Sequence, residues 1–164
     1  MIIIRKAQEI DIDKIIILLN EVLELHAKIR PDIFISGTTK YTKEELFSII
    51  NNENTPVFVA CDDKNCVLGY AFCAIKHQPF STNMRDFKTL FIDDLCVDAA
   101  SRGLHIGTLL FEYVLNYAKE INCYDVTLNV WEGNDSARAF YEKMGMKVKE
   151  TQMEFILGSR NNKE

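Results

Sequence analysis

The sequence predicts a single domain built on a mixed α/β sheet, and three observations carry that expectation. The 164 residues suffice for one sizeable core, and 48% hydrophobic with 26% charged side chains is ordinary for a globular domain. Short β-rich runs and helical stripes are mixed irregularly along the chain. No repeat, linker or low-complexity segment interrupts residues 1–157, and only the polar run 158–164 reads as a tail.

Each element has its own signal. Ile2, Ile3 and Ile4 form a short strand. Asp11 is positioned to cap a helix whose stripe runs Ile12, Ile15, Ile16, Leu19, Val22 and Leu23. That helix should end near Ile29, because Pro31 biases Arg30 away from helical torsions. Residues 31–42 are loop-like, and Thr42 with Glu45 makes a capping box for a short helix ending near Ile50. The runs 57–61 and 67–75 flank the turn chemistry of Asp62, Asp63, Lys64 and Asn65, which predicts a hairpin. Residues 89–97 are a further strand.

A second stripe follows, Ile106, Leu109, Leu110, Tyr113, Val114, Tyr117 and Ile121, and it predicts a helix beginning near Ile106. Residues 125–130 read as a strand, and Asn134 caps a helix through Lys143 with Gly145 as its left-handed stop. Residues 146–157 have strand character.

The totals exclude some functions. A net charge of −5 argues against a nucleic-acid partner, which needs a basic face. No apolar run approaches the ~20 residues of a membrane span. The N-terminus turns charged after four residues, unlike a signal peptide. Five cysteines without a C-x-x-C pair fit reduced thiols in a cytoplasmic protein. His26, His77 and His105 lack ligand spacing, so no metal site is expected.

The chemistry concentrates around residues 101–108. A strand ends at Val97 and a helix begins near Ile106, so unpartnered amides and the helix dipole face the connecting turn. Gly103 and Gly107 allow close backbone approach, Arg102 adds a cation and Thr108 a hydroxyl. On these residues alone the turn either cradles a phosphate or simply joins a strand to a helix. It is neither a P-loop nor a dinucleotide fingerprint, since G-K-[ST] and G-x-G-x-x-G are both missing.

Two spacings together tip the balance. Val97, Arg102, His105 and Gly107 follow V-x(4)-[RQ]-x-x-G-x-[GA] with histidine at its first glycine, and Asn134, Ala137, Tyr141 and Gly145 follow N-x-x-[SA]-x-x-x-Y-x-x-x-G. In this order the chain resembles the GNAT superfamily of N-acetyltransferases over roughly residues 2–157. The resemblance implies an α+β arrangement, a largely antiparallel sheet flanked by helices, with acetyl-CoA as co-substrate. It implies that the backbone of Leu95, Cys96 and Val97 pairs with the pantetheine arm. Arg102 and the amides of Gly103, Leu104, His105, Ile106, Gly107 and Thr108 would hold the pyrophosphate, and Asn134 would reach the pantetheine region. His105 departs from the pattern: its side chain strains the turn, crowds the phosphates or donates to them.

The same resemblance makes Tyr141 the general acid or thiolate stabiliser; Phe140, on a different side of the helix, reads as plain packing. Asp93 sits where some members that act on polyamines carry an acidic base, and it accepts the amine's proton through water or holds an ammonium. On a regular strand Asp93 and Asp94 point to opposite faces, which leaves Asp94 a structural acid. Asn129 stands where another branch has a glutamate; an amide is no base, though it can orient water. Glu132 is the nearby alternative, at a turn. Cys96 has no histidine near it in sequence to activate it, so direct transfer is expected over an acyl-cysteine.

The resemblance also implies that the first helices and the loop between them wall the acceptor cleft, which makes His26, Asp32, Phe34 and Tyr41 the candidate contacts; the acidity leans towards a small cationic amine. The rival reading is a module that senses acetyl-CoA without turning it over. The C-terminal strand is available to a second copy, a homodimer the sequence leaves open.

Overall fold

The structure is a computed structural model and describes residues 1–79 and 81–158; of the expected tail, only Gly158 lies within the described residues. Five strands, β1 (Ile3–Lys6), β2 (Val57–Cys61), β3 (Val67–His77), β4 (Lys88–Val97) and β5 (Asp125–Leu128), form one sheet in sequence order. The first four pair antiparallel, and β5 joins β4 in parallel. Four α-helices flank it: α1 (Ile12–Ile29), α2 (Lys43–Ile50), α3 (Ile106–Glu120) and α4 (Asp135–Lys143).

The core divides by the two-residue period of the strands. Val57, Val59 and Cys61 of β2 pack with Ile15, Leu18 and Leu19 of α1 and Leu46 of α2. Phe58 and Ala60, pointing the other way, pack with Leu110, Phe111 and Val114 of α3. α4 joins this second layer through Phe140 and Tyr141, with Met144 just after it, and none of the helix's residues is fully buried.

Local chemistry sets most boundaries. Thr42 Oγ1 accepts from the Glu45 amide at 3.1 Å and Glu45 returns the contact to the Thr42 amide at 2.8 Å, which starts α2. Asn134 Oδ1 accepts from the Ala137 amide at 3.4 Å, and Gly145 turns the chain at φ 97°. Asp11 behaves differently from expectation. It is buried, and its carboxylate takes both Arg5 guanidinium nitrogens (2.7 and 2.9 Å) and the Gln8 amide (2.8 Å) instead of capping α1. A short 3-10 turn, Glu9–Asp11, leads into the helix.

Two expected strands are corrected. β5 stops at Leu128, short of Val130. Residues 146–157 form no strand: among the described residues β5 pairs only with β4, and residues 147–157 are exposed and join no ladder.

Candidate active site

Two irregularities in β4 build the site. The first is a bulge. Phe72 pairs with Asp94 and Cys73 with Ile92, so Asp93 is an extra residue in β4. Strict alternation is lost there, and Asp93 and Asp94 line the same cavity rather than opposite faces. The second is a split in the sheet. β4 and β5 pair only from Thr89–Asp125 to Ile92–Leu128, braced by Thr89 donating to Asp125 at 2.5 Å. From residue 93 to 97, β4 is paired with β3 alone, and its other edge is open among the described residues.

The cavity encloses about 170 Å³ between α1, the loop after it and β4. Leu19, Val22 and Leu23 form its apolar wall; His26 and Phe34 close one side, Thr38 and Lys40 another, and the two aspartates the third. Phe34 links His26 (ring centroids 5.2 Å) to Trp131 (5.4 Å, edge to face). Glu24 holds the loop down by accepting from Ser36 Oγ at 2.6 Å and from the Gly37 amide at 2.7 Å.

Electrostatics separate the two acids. Asp93 is exposed and accepts from Lys40 Nζ at 3.0 Å. Asp94 lies deeper and accepts from the phenol of fully buried Tyr70 at 2.6 Å. Burial pushes the Asp94 carboxyl above the usual range, against the opposing pull of Tyr70, Lys40 and His26. Burial likewise lowers His26, so its imidazole is neutral at pH 7. The Cys96 thiol is pushed up to about 12, chiefly by burial, which leaves almost no thiolate for covalent chemistry.

Tyr141 packs its ring on Phe111 and Phe140, with centroids 6.0 and 5.1 Å away. Burial raises its phenol, and the nearby charges of Asp94 and Cys96 add to the rise, so the hydroxyl is a donor and belongs electrically to the β4 segment. Phe140 packs as expected: a Cβ on Gly107 would meet its ring at 3.4 Å.

Beyond Val97 the short 3-10 turn Ala99–Ser101 leads to the start of α3. Arg102, Gly103, Leu104 and His105 are exposed, and Gly103 has φ 85° with open space where a Cβ would stand. His105 takes the left-handed conformation, φ 59° and ψ 22°, and its side chain makes no capping bond. Leu109 donates to the His105 carbonyl at 3.0 Å, so the amides of Ile106, Gly107 and Thr108 precede the helical ladder. An open strand edge leading into these amides suits a long polar arm ending in a diphosphate, such as that of acetyl-CoA.

Not every expected residue gathers here. His26 and Phe34 line the cavity. Asp32 instead receives both Nε (2.8 Å) and Nη2 (2.6 Å) of Arg30, and Tyr41 stacks on Phe72 at 6.1 Å. Asn129 and Glu132 are exposed beyond β5, away from the cavity lining. Asn134 commits its carbonyl to the α4 cap. Sequence reasoning missed Lys40, a loop lysine without any pattern. It also missed Tyr70, which pairing of the hairpin against β4 would have found, since Tyr70 stands opposite Cys96.

Comparison with known proteins agrees with this architecture. The model described as "Acetyltransferase (GNAT) family" matches residues 19–146. A peptidyl-lysine N-acetyltransferase, YjaB, of Salmonella typhimurium is 32% identical over 115 residues, covering 70% of this chain and 66% of its own. Glucosamine 6-phosphate N-acetyltransferase of Arabidopsis thaliana is 37% identical over 62 residues, covering 38% of this chain and 40% of its own. The chain thus spans about two fifths to two thirds of the length of these relatives. A mutant of the BH1408 protein from Bacillus halodurans superposes with a TM-score of 0.90 at 34% identity, covering 94% of this chain and 99% of that one. Among the described residues no helix is long and apolar enough to cross a membrane. The match across the sheet, the split after Ile92 and the start of α3 identifies the chain as a member of the GNAT acetyltransferase family.

Proposed function

We propose that the protein transfers an acetyl group from acetyl-CoA to a primary amine seated in the α1–β4 cavity, by direct attack. The observation that carries this reading is the open edge of β4 over residues 93–97, with the cavity's acids at one end and the unladdered α3 amides at the other.

Acetyl-CoA supplies the activated acetyl group; Leu95 to Val97 offer backbone partners to its arm, and Arg102 with the amides of residues 103–108 offers donors to its diphosphate. Asp93 holds the incoming ammonium, displacing Lys40. Asp94 and neutral His26 are the groups positioned to take its proton, Asp94 because burial has lifted it towards the working range of a base. The Tyr141 hydroxyl, kept protonated by burial, stabilises the leaving sulfur.

The cavity's volume suits an alkylamine or a lysine side chain better than a whole oligosaccharide, since sites for larger ligands run from about 300 Å³ upward. The names of the relatives, a peptidyl lysine and glucosamine 6-phosphate, both imply a primary amine. Free cysteines support a reducing, cytoplasmic setting.

The Lys40–Asp93 pair favours a second reading, a sensor that binds acetyl-CoA without turnover, because the acid already has its cation. Thiol release from acetyl-CoA against a panel of amines, with mass spectrometry of products, separates the two. Release with an acetylated product supports transfer; tight binding without release across the panel supports sensing.

A further inference from the structure

The loop before α2 puts an amine of the chain itself into the acceptor cavity. Glu24 ties down Ser36 and Gly37, and Thr42 caps α2, so residues 38–41 are a short span held at both ends. Thr38 and Lys40 of that span line the cavity, and Lys40 Nζ donates to Asp93 Oδ2 at 3.0 Å. No other lysine lines this cavity among the described residues. Lys14, Lys43 and Lys149 pair elsewhere, with Asp98, Asp13 and Asp125.

The place of the Lys40–Asp93 pair matters more than its strength. Asp93 is the extra residue of the β4 bulge and stands where the open edge over residues 93–97 begins. A polar arm anchored on the α3 amides and laid back along residues 97 to 95 brings its far end to Asp93. Asp94 and His26 are close enough that each senses the Lys40 charge. Lys40 thus occupies the position of an acceptor's ammonium, against the same acid and beside the same two proton acceptors. The pair is half-exposed, contributes little, and opens readily. An amine held beside a thioester reacts as though its concentration were far above that of any free amine.

We propose that Lys40 is a site of self-acetylation: without an external amine, the protein transfers the acetyl group of acetyl-CoA to its own Lys40 Nζ. This rests on the acetyl-transfer reading and extends it to a substrate that the chain carries. The bond from Nζ to the acetyl carbon forms as the bond from that carbon to sulfur breaks. The ammonium loses two protons. One passes through Asp94 or His26 to water, and the other replaces the proton that Tyr141 gives to the departing sulfur. The products are Nε-acetylated Lys40 and CoA. Acetylation ends the pairing with Asp93, because an amide nitrogen carries no charge. An external amine competes for the same acid, so a good acceptor protects Lys40.

The test incubates the full chain with acetyl-CoA alone and, in parallel, with acetyl-CoA and a panel of amines. Peptide mass spectrometry times the acetylation of each lysine, and the same samples report acetylated amines. Lys40 should be acetylated at least about a hundredfold faster than exposed Lys64 and Lys147, the advantage of a positioned amine over a free one. Its rate should be independent of protein concentration, and Tyr141→Phe should slow it about 10²-fold. Lys40 acetylated no faster than Lys64 and Lys147, while a panel amine is acetylated, overturns self-acetylation and leaves the transfer reading standing. Acetylation of neither overturns both. A Lys40 rate that rises with protein concentration, or that Tyr141→Phe leaves unchanged, overturns the proposal as well. Should that variant fail to fold, the comparison of Lys40 with Lys64 and Lys147 in the unaltered chain decides alone.

Discussion

Asp93 and Asp94 are neighbours in sequence with different tasks in space. One is exposed and paired with a lysine; the other is buried on a phenol. The buried acid carries a stability cost with a definite sign. Its folded pKa stands above the unfolded value, so the folded state is favoured below the unfolded pKa, and that advantage is lost as pH rises through the folded one. The cost therefore grows as the pH rises above the ordinary carboxylate range. Asp94→Asn keeps an acceptor for Tyr70 and removes the charge, so it should raise the melting temperature at pH 7 by about 2–4 °C, the response to roughly 1 kcal/mol in a chain of this size. It should also slow acetyl transfer by about 10²-fold. A thermal melt at pH 7 matching the parent's would show that the carboxylate is already well solvated. Tyr141→Phe keeps the packing on Phe111 and removes the donor. Its kcat should drop by about 10²-fold with acetyl-CoA affinity unchanged, and full kcat would take the phenol out of the chemistry.

Elements were legible where their signals are local. The α2 capping box, the end of α1 before Pro31, the hairpin turn and the Gly145 stop all appear where the residues put them, because each depends on neighbours within a few positions. The bulge at Asp93 was not legible, because it is a relation between β3 and β4 that neither strand carries alone. The loop's cavity role at Lys40 is equally non-local. Gly69 shows the same point: a Cβ there would stand 2.7 Å from the Cys96 carbonyl of β4, a contact no pattern announces. Gly69→Ala should cost about 1–3 kcal/mol as an overpacked contact and should weaken acetyl-CoA binding by shifting the open β4 edge. A variant as stable as the parent would show that the strands can separate at no cost. His105 at φ 59° offers the complementary test. His105→Gly relieves a left-handed side-chain residue but frees the unfolded chain, and the balance should be a gain of about 0.5–1 kcal/mol, read by denaturant unfolding.

At the scale of the whole molecule, one sheet separates two cores, and β4 and β5 part beyond Ile92. The mixed sheet and its flanking helices follow from periodicity. The missing final strand does not, because 146–157 has the composition of a strand but pairs with no other strand among the described residues. The open β4 edge is the costly part of this design: among the described residues, backbone groups over residues 93–97 lack a strand partner on one side, beside the unladdered amides of α3. A ligand that satisfies both at once binds only the folded chain, so it must stabilise the whole molecule by mass action. At about one hundred times its dissociation constant, acetyl-CoA should add about 2.7 kcal/mol, a rise in melting temperature of about 5–10 °C for a chain of this length. The gain should fall for an analogue lacking the diphosphate, since that removes the contacts at α3, and less for one lacking only the acetyl group. A melting temperature indifferent to millimolar acetyl-CoA would mean that the edge and the amides are not a ligand site, and the acetyl-transfer reading would fall with it.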